Sequence, residues 1–210
     1  MPLFEDNEEQ RLFRQEFRKF CAREITPFVE EWEQNRAVPR ALWKKMGRQG
    51  FLCPWLPEEF GGSDLDFSYS VIIGEELIRA DGFGVGVPLH ADVAVPYIFS
   101  YGSEELKKKI LPGCTTGDII TCIGLTEPNA GSDLAAIRTK AFRDGDQYVI
   151  NGQKTFITNG IFADVVVLAV RFRARWNQHD CGGGRNTWFQ PGAEAGKDGL
   201  SHAGYGRTLF

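Results

Sequence analysis

The sequence predicts an α+β protein in which an all-helical N-terminal part precedes an all-β part. Apolar residues recur every three or four positions through the first 117 residues, which is the period of amphipathic helices. From residue 118 onward the apolar runs are short and β-branched, and Asp-Gly or Asn-Gly pairs separate them. We therefore expect a helical domain over 1–117, a partial β domain over 118–171 and a tail over 172–210.

Five helices are predicted in the helical part. The first covers about residues 7–32 and contains Pro27, which predicts a kink or a break. The second covers 39–49 and ends at Gly50. The other three are expected over 67–80, over 85–101 with a bend at Pro96, and over 104–111 with an end at Pro112 and Gly113.

Three turn signals divide the β part. The Asp-Gly pair within 143–146 joins two strands as a hairpin, and the Asn-Gly pair at 151–152 predicts a second hairpin. A third Asn-Gly pair at 159–160 precedes a long apolar run, which predicts a buried strand. The five expected strands cover 118–125, 136–142, 147–150, 154–158 and 163–171.

The composition excludes several classes of function. The chain has 210 residues, of which 25% are charged, and its net charge of −4 offers no basic surface to nucleic acid or anionic membranes. No apolar run approaches the roughly 20 residues of a membrane span. The acidic N-terminus MPLFEDNEEQ has neither a signal-peptide nor a transit-peptide pattern, which predicts a cytoplasmic protein.

Neither a metal site nor a common nucleotide motif is predicted. The five cysteines are scattered without a Cys-x-x-Cys pair and are expected to be reduced thiols, and the three histidines lie far apart. No Gly-x-Gly-x-x-Gly joins a strand to a helix, and the glycine run 182–184 lacks the Lys-Ser/Thr of a P-loop.

Two loops, 125–133 and 154–160, combine hydroxyls, glycines and backbone N–H groups. Gly131 and Ser132 can present donors to a phosphate, and Phe156 offers an aromatic face for stacking. The hydroxyls of Thr126 and Thr158 can bind the heteroatoms of a planar ring. Spacing alone leaves a second interpretation open, in which both segments are ordinary turn loops.

Longer motifs resemble a known family. The segment CIGLTEPNAGSDLAAIRTKAFRDGDQYVINGQKTFITNG is similar to the middle β domain of the acyl-CoA dehydrogenase family. LPEEFGGSDLDF, EELIRAD and LHADVAVPYIFSYGSEELKKKILP resemble the helical N-terminal domain of that family. The resemblance covers residues 4–171, and its TEP-x-x-GSD and K-x-F-I-T-N-G signatures are specific. It implies a helical domain followed by a β-barrel-like middle domain.

The resemblance implies an FAD enzyme of fatty-acid β-oxidation. Such enzymes oxidise an acyl-CoA thioester to the 2,3-enoyl-CoA, pass electrons to an electron-transferring flavoprotein and act as homo-oligomers. The resemblance is greatest to members for long-chain or branched-chain substrates. By motif match, Ser132 also contacts the CoA portion of the substrate. The implied cofactor-binding residues are Ile123, Leu125, Thr126, Gly131, Ser132, Phe156, Ile157 and Thr158.

The resemblance assigns no catalytic residue within the chain. In the family, a glutamate on a C-terminal helical bundle removes the α-proton, and the tail is too short to contain that bundle. Glu75 and Glu76 fall on a helix of the other domain, and Glu127 matches a structural position. Two alternatives stay open: a non-catalytic remnant without stable FAD binding, and a relative on the same scaffold, either an acyl-CoA oxidase or a flavin monooxygenase.

The tail after Arg171 is rich in Gly and Arg and does not resemble the family. When the degenerate codons for 188–199 are read one nucleotide later, they permit GFSRGRKLEKMG, which resembles the next strands of the family. This predicts that the reading frame slips near residue 172 and that 172–210 is out of frame and disordered. The run 163–171 or a neighbouring strand would then remain as an apolar edge prone to aggregation.

We expect resequencing of the gene to find one extra nucleotide, or two missing ones, near codon 172. The corrected frame should run into GFSRGRKLEKMG and then a further helical domain. A cloned DNA sequence that stays in frame through codon 210, with no ambiguous base near codon 172, would contradict this prediction and favour the remnant alternative.

Overall fold

The computed structural model describes residues 5–144, 147–173, 193–194, 200–201 and 206–209. Helices come first and strands follow, as predicted. The α-helices are α1 Glu8–Glu24, α2 Val29–Asn35, α3 Arg40–Arg48, α4 Phe67–Arg79, α5 Val95–Tyr101 and α6 Glu104–Thr116. The strands are β1 Thr121–Gly124, β2 Lys140–Asp144, β3 Gln147–Asn151, β4 Gln153–Ile157, β5 Val165–Leu168, β6 Arg171–Arg173, β7 Ala193–Glu194, β8 Leu200–Ser201 and β9 Gly206–Leu209.

The first predicted helix is broken at Pro27, as the sequence indicated. A capping box formed by Asn7 and Gln10 starts α1, in which each side chain accepts a hydrogen bond from the other residue's backbone N–H. A 3₁₀ turn over Thr26–Phe28 holds the proline at its start, where the missing N–H costs no helical hydrogen bond. Within the described residues, no helix has the length and apolar character to cross a membrane.

The core of the helical part lies between α1, α3 and α4. Phe17 of α1 packs edge-on against Phe51, with ring centroids 4.7 Å apart, and Trp43 of α3 is fully buried. Gly50 follows α3 with a φ of 71°, in the left-handed region that suits glycine, so the predicted end of this helix is confirmed.

The single helix predicted over 85–101 is wrong in its first half. A 3₁₀ turn over Gly82–Val85, a π-helix over Leu89–Ala94 and α5 replace it. Gly86 interrupts the run with a φ of 75°, and a Cβ there would lie 2.3 Å from Oδ1 of Asn159. The chain therefore turns at this glycine to contact the β part, and regular helix begins only after it.

The predicted end at Pro112 and Gly113 is also wrong, because α6 continues through both residues to Thr116. Leu111 and Cys114 are fully buried, so ending the helix earlier would leave apolar surface uncovered. The left-handed Gly117 ends the helix, at a site where a Cβ would lie 2.4 Å from the Trp43 carbonyl oxygen.

The strands form three small sheets. Their orders are β1-β5-β7, β3-β2-β6 and β4-β9-β8. The pair of β1 with β5 is parallel, and β2 with β3 forms the predicted antiparallel hairpin, whose Gly145 and Asp146 lie outside the described residues.

Two predictions about the strands fail. The Asn151-Gly152 pair does not make a hairpin, because β4 pairs with β9 and neither residue has the positive φ that a type I′ turn requires. The apolar run 163–171 is divided into β5 and β6, which lie in different sheets. Within the sheet β5 lies between β1 and β7, so the edge that the sequence predicted for this run or a neighbour falls on the neighbour β1.

The tail contributes short strands where the structure describes it. β7 pairs with β5, and β9 pairs with both β4 and β8. The strands β7, β8 and β9 fall within 172–210, and the expectation that this segment is out of frame and disordered stays a prediction. The other residues of that segment after Arg173 lie outside the described part of the chain.

His90 of the π-helix joins the helical part to the first strand. Its Nδ1 accepts hydrogen bonds from the Thr121 amide at 3.0 Å and the Thr121 hydroxyl at 2.9 Å. Its Nε2 lies 3.2 Å from the carbonyl oxygen of Cys114, which fixes the neutral ring with its proton on Nε2. Burial lowers the pKa of His90 to about 4, although the contact with the Cys114 carbonyl opposes this shift.

We expect the free energy of unfolding to fall as the pH drops from about 6.5 toward 4. In that range the unfolded chain binds a proton at His90 that the folded chain excludes, which costs up to about 1.4 kcal/mol per pH unit. Urea unfolding at a series of pH values measures the slope. The His90→Phe variant should lack this component, and equal slopes in both proteins would contradict the prediction.

Candidate functional site

The two predicted loops lie side by side. The amide of Thr155 in β4 donates to the carbonyl oxygen of Thr126 at 2.9 Å. The neighbouring Lys154 donates from Nζ to the carbonyl oxygen of Leu125 and to Oε1 of Glu127, both at 2.9 Å. Three consecutive residues of the first loop are therefore bound to two consecutive residues of β4.

Glu127 and Lys154 form a buried ion pair. Their side chains are 2% and 0% exposed. The Glu127 carboxylate also accepts from the backbone amides of Arg138 and Thr139, at 2.5 and 2.9 Å. Burial by itself raises the pKa of Glu127, but hydrogen bonds from Thr139, Arg138 and Lys154 outweigh it and lower the pKa to about 2. Glu127 is thus ionised at neutral pH, and its bond to Lys154 holds the turn 127–130 against β4.

Phe156 is held in a strained and exposed conformation. Its φ is 58°, in the left-handed region that costs a bulky residue roughly 1–2 kcal/mol, and its side chain is 70% exposed. Asn159 also has a left-handed φ, of 64°, and its Nδ2 donates to the carbonyl oxygen of Gly86 at 3.1 Å. Strain of this kind persists where the surroundings fix the backbone, and it is commonest at functional sites.

Phe156 and Thr158 line a cavity of about 760 Å³ between the helical part and the β4–β5 loop. This volume lies in the range of small-molecule sites. The walls are mainly apolar and aromatic, and they include Val29, Trp32, Val38, Val85, Ile161 and Phe162, with Glu33, Arg36 and Asp81 as charged members. The structure does not bring Ile123, Leu125, Thr126, Gly131, Ile157 or Ser132 into this cavity.

The predicted polar donors are accessible. Within the described residues, the hydroxyls of Thr126, Ser132 and Thr158 make no hydrogen bond; Thr126 and Thr158 are half-buried and Ser132 is exposed. A Cβ placed on Gly131 would meet nothing within 4 Å, which leaves room for a ligand above this loop. Ile123 and Ile157 point into the core, so only their backbone groups could reach a ligand.

One polar group was missed by the sequence interpretation. The hydroxyl of Thr155 is one of three buried side-chain polar atoms that lack a partner among the described residues, beside Trp43 Nε1 and the Thr139 hydroxyl. A buried unpaired polar atom costs free energy, so this one is suited to a ligand donor or acceptor. Successive side chains of a strand point to opposite faces, so the position of Thr155 between Lys154 and Phe156 was the available sequence signal.

Glu75 and Glu76 form ion pairs with arginines of α1. Arg14 donates to Glu75 Oε2 at 2.6 Å, and Arg18 donates to both oxygens of Glu76 at 2.7 and 2.8 Å. Their role is to hold α1 on α4, and Glu127 is occupied by its own pair, so none of the three is a free base. No cluster of three metal-binding side chains exists in the part of the chain that the structure describes.

Comparison with protein families gives two matches. The model of the acyl-CoA dehydrogenase N-terminal domain matches residues 7–118, which is more than half of the chain. The model of the acyl-CoA dehydrogenase middle domain matches residues 122–201. The second match extends beyond Arg171, so the family-like region is longer than the motifs predicted.

Curated relatives agree with the family matches. The long-chain specific acyl-CoA dehydrogenase of Sus scrofa is 44% identical over 160 residues, which are 76% of this chain and 37% of the relative. The isovaleryl-CoA dehydrogenase of Bos taurus is 38% identical over 165 residues, 77% of this chain and 39% of the relative. The chain therefore spans well under half the length of these relatives.

Solved structures share the fold. An acyl-CoA dehydrogenase from Geobacillus kaustophilus is 53% identical with a TM-score of 0.78, and the match covers 81% of this chain and 45% of that one. A glutaryl-CoA dehydrogenase from Mycobacterium smegmatis, in complex with FADH2, is 34% identical with a TM-score of 0.75, covering 80% and 43%.

We expect Phe156→Gly to leave the free energy of unfolding unchanged or to raise it by up to about 1 kcal/mol, because glycine relieves the left-handed strain. Phe142→Gly is the matched control, since Phe142 is 44% exposed in the regular strand β2, and it should lower stability by about 1 kcal/mol. Urea unfolding measures both. A loss above 1 kcal/mol in Phe156→Gly would show that Phe156 serves stability instead.

Proposed function

Because the chain belongs to the acyl-CoA dehydrogenase family, we propose that it serves the FAD-dependent α,β-dehydrogenation of an acyl-CoA thioester. The observation that carries the proposal is the placement of the motif residues on two adjoining loops. The half-buried hydroxyls of Thr126 and Thr158 have no partner among the described residues. The exposed ring of Phe156 lies two positions before Thr158.

Three features of the site fit a flavin. The buried hydroxyl of Thr155 has no partner in the described part of the chain, the space above Gly131 is open, and Phe156 is exposed on a strained backbone. A flat ring with several heteroatoms can use the two kinds of group that these loops offer, an aromatic face and hydrogen-bonding hydroxyls. FAD, when bound, would supply the redox chemistry by accepting the two electrons and the β-hydrogen of the substrate.

The protein groups would hold and orient the cofactor. Thr126 and the backbone of β1 would bind the ring, Thr158 would hydrogen-bond its redox-active side, and Phe156 would cover a face. Gly131 and Ser132 would lie toward the diphosphate, and Ser132 also toward the CoA of the substrate. The described carboxylates Glu75, Glu76 and Glu127 are tied up in ion pairs, so the proposal names no base among them.

The substrate class and the partners follow from the family. The proposal includes an electron-transferring flavoprotein as acceptor and assembly into a homo-oligomer, with long-chain or branched-chain acyl groups as the first substrates to test. The identities of 44% with a long-chain enzyme and 38% with an isovaleryl enzyme support that order. An acyl-CoA oxidase or a flavin monooxygenase is the competing activity, and oxygen as acceptor would favour it.

We expect the protein to bind FAD on titration, with quenching of the flavin fluorescence, and Thr158→Val to weaken binding by about three- to tenfold through the loss of one hydrogen bond. Thr26→Val is the control, because the Thr26 hydroxyl donates to the Ala80 carbonyl oxygen and Thr26 belongs to neither loop and does not line the cavity. If the wild-type chain takes up no flavin, the remnant alternative is correct.

A further inference from the structure

The Glu127–Lys154 pair is the most enclosed charged interaction near the proposed flavin site. Both side chains are at most 2% exposed. Lys154 donates to the Leu125 carbonyl oxygen as well as to Glu127, and Glu127 accepts two further backbone amides, from Arg138 and Thr139. All the charged atoms of the pair are therefore satisfied by the protein itself.

A buried ion pair is a poor source of stability. Removing two charges from water costs about as much as their attraction returns, and apolar side chains of similar volume often stabilise a core as well or better. What such a pair provides is fixed geometry, since each charged atom tolerates few arrangements of its partners. Here the pair joins the loop 125–133, which contains Thr126, to strand β4, which ends one residue before Thr158.

We propose that Glu127 and Lys154 are positioning residues of the flavin site, which fix the loop 125–133 against β4 so that Thr126 is held in register with Phe156 and Thr158. The inference rests on the proposed function. Neither residue needs to touch the cofactor, because the pair acts through the backbone of Leu125 and through the turn 127–130.

The contacts support positioning over general packing. Lys154 reaches the first loop at Leu125 and Glu127, and the Thr155 amide binds Thr126 between them, so the pair brackets the residue that would contact the ring. Phe156 directly follows these two anchoring residues, which explains how its backbone can be kept in a left-handed conformation.

The test compares Lys154→Met, Glu127→Gln and the double variant with wild type. Each single variant should raise the FAD dissociation constant by at least about tenfold, because a hydrogen bond to a charged group is lost in a buried site. In the cofactor-free protein, Lys154→Met should speed hydrogen exchange at the Thr155 amide, and Glu127→Gln should speed it at the Arg138 and Thr139 amides.

The double variant separates positioning from stability. With both charges removed, it should regain much of the unfolding free energy lost in either single variant. Its FAD affinity should nevertheless stay reduced by about tenfold, since Leu125, Arg138 and Thr139 still lack their charged partners. Recovery of both properties together would overturn the inference, and the double variant keeps the test decisive if a single variant does not fold.

Glu76→Gln is the matched control, because Glu76 is also a fully buried carboxylate with charged partners but lies on α4. It should destabilise the protein without changing FAD affinity or amide exchange in the two loops. If Glu76→Gln and Glu127→Gln changed FAD affinity equally, the inference would be overturned but the proposed function would stand. A wild-type protein that binds no FAD would overturn the proposed function, and this inference with it.

Discussion

Thr121, the first residue of β1, is held on both of its backbone groups, by His90 of the helical part and by Asn159 of the loop after β4. Its amide donates to His90 Nδ1, and its carbonyl oxygen accepts from Nδ2 of Asn159 at 3.4 Å. The same Asn159 amide also donates to the carbonyl oxygen of Gly86 in the helical part. Because these groups are buried, none of them can exchange its partner for water without cost. The start of β1 and the loop after β4 therefore take their positions from the helical domain, and the proposed site inherits that geometry.

A second contact between the domains reinforces this arrangement at the surface. Arg40 at the start of α3 donates to the carbonyl oxygens of Phe162 and Asp118, at 2.8 and 2.9 Å, and to Oδ2 of Asp164 at 2.7 Å. Asp164 in turn accepts from the Ile120 amide. The Arg40 guanidinium thus binds the segment just before β1 and the segment just before β5. The planar fork of arginine suits such divergent acceptors better than a lysine would.

Local chemistry made most elements predictable, and tertiary contacts explain the rest. The break at Pro27 and the end of α3 before Gly50 follow from local signals, and both predictions are confirmed. The course of α6 through Pro112 depends on burying Leu111 and Cys114, which a local breaker signal cannot show.

For the sheet pairings and the site as well, local signals were readable from the sequence and tertiary contacts were not. Asn151-Gly152 has the composition of a hairpin turn, yet its conformation depends on packing against Thr139, where a Cβ on Gly152 would lie 2.3 Å from the hydroxyl oxygen. The motif residues Thr126, Phe156 and Thr158 were selected as candidate site residues from the sequence, and their role stays a prediction. The cavity beside Phe156 was not, since residues far apart in the chain form its walls.

The parallel pairing of β1 with β5 has a consequence for the order in which the chain folds. The amide of Ile120, just before β1, binds Asp164 across a separation of 44 positions, and β1 has no strand partner until β5 has been synthesised. The helices depend mainly on contacts within the first part of the chain and can form earlier. Until β5 arrives, Thr121–Gly124 lacks its strand partner and can bind only residues that were synthesised earlier, such as His90 and Asn159. Synthesis from the N-terminus thus supplies a finished helical template before the strand that completes the parallel pair.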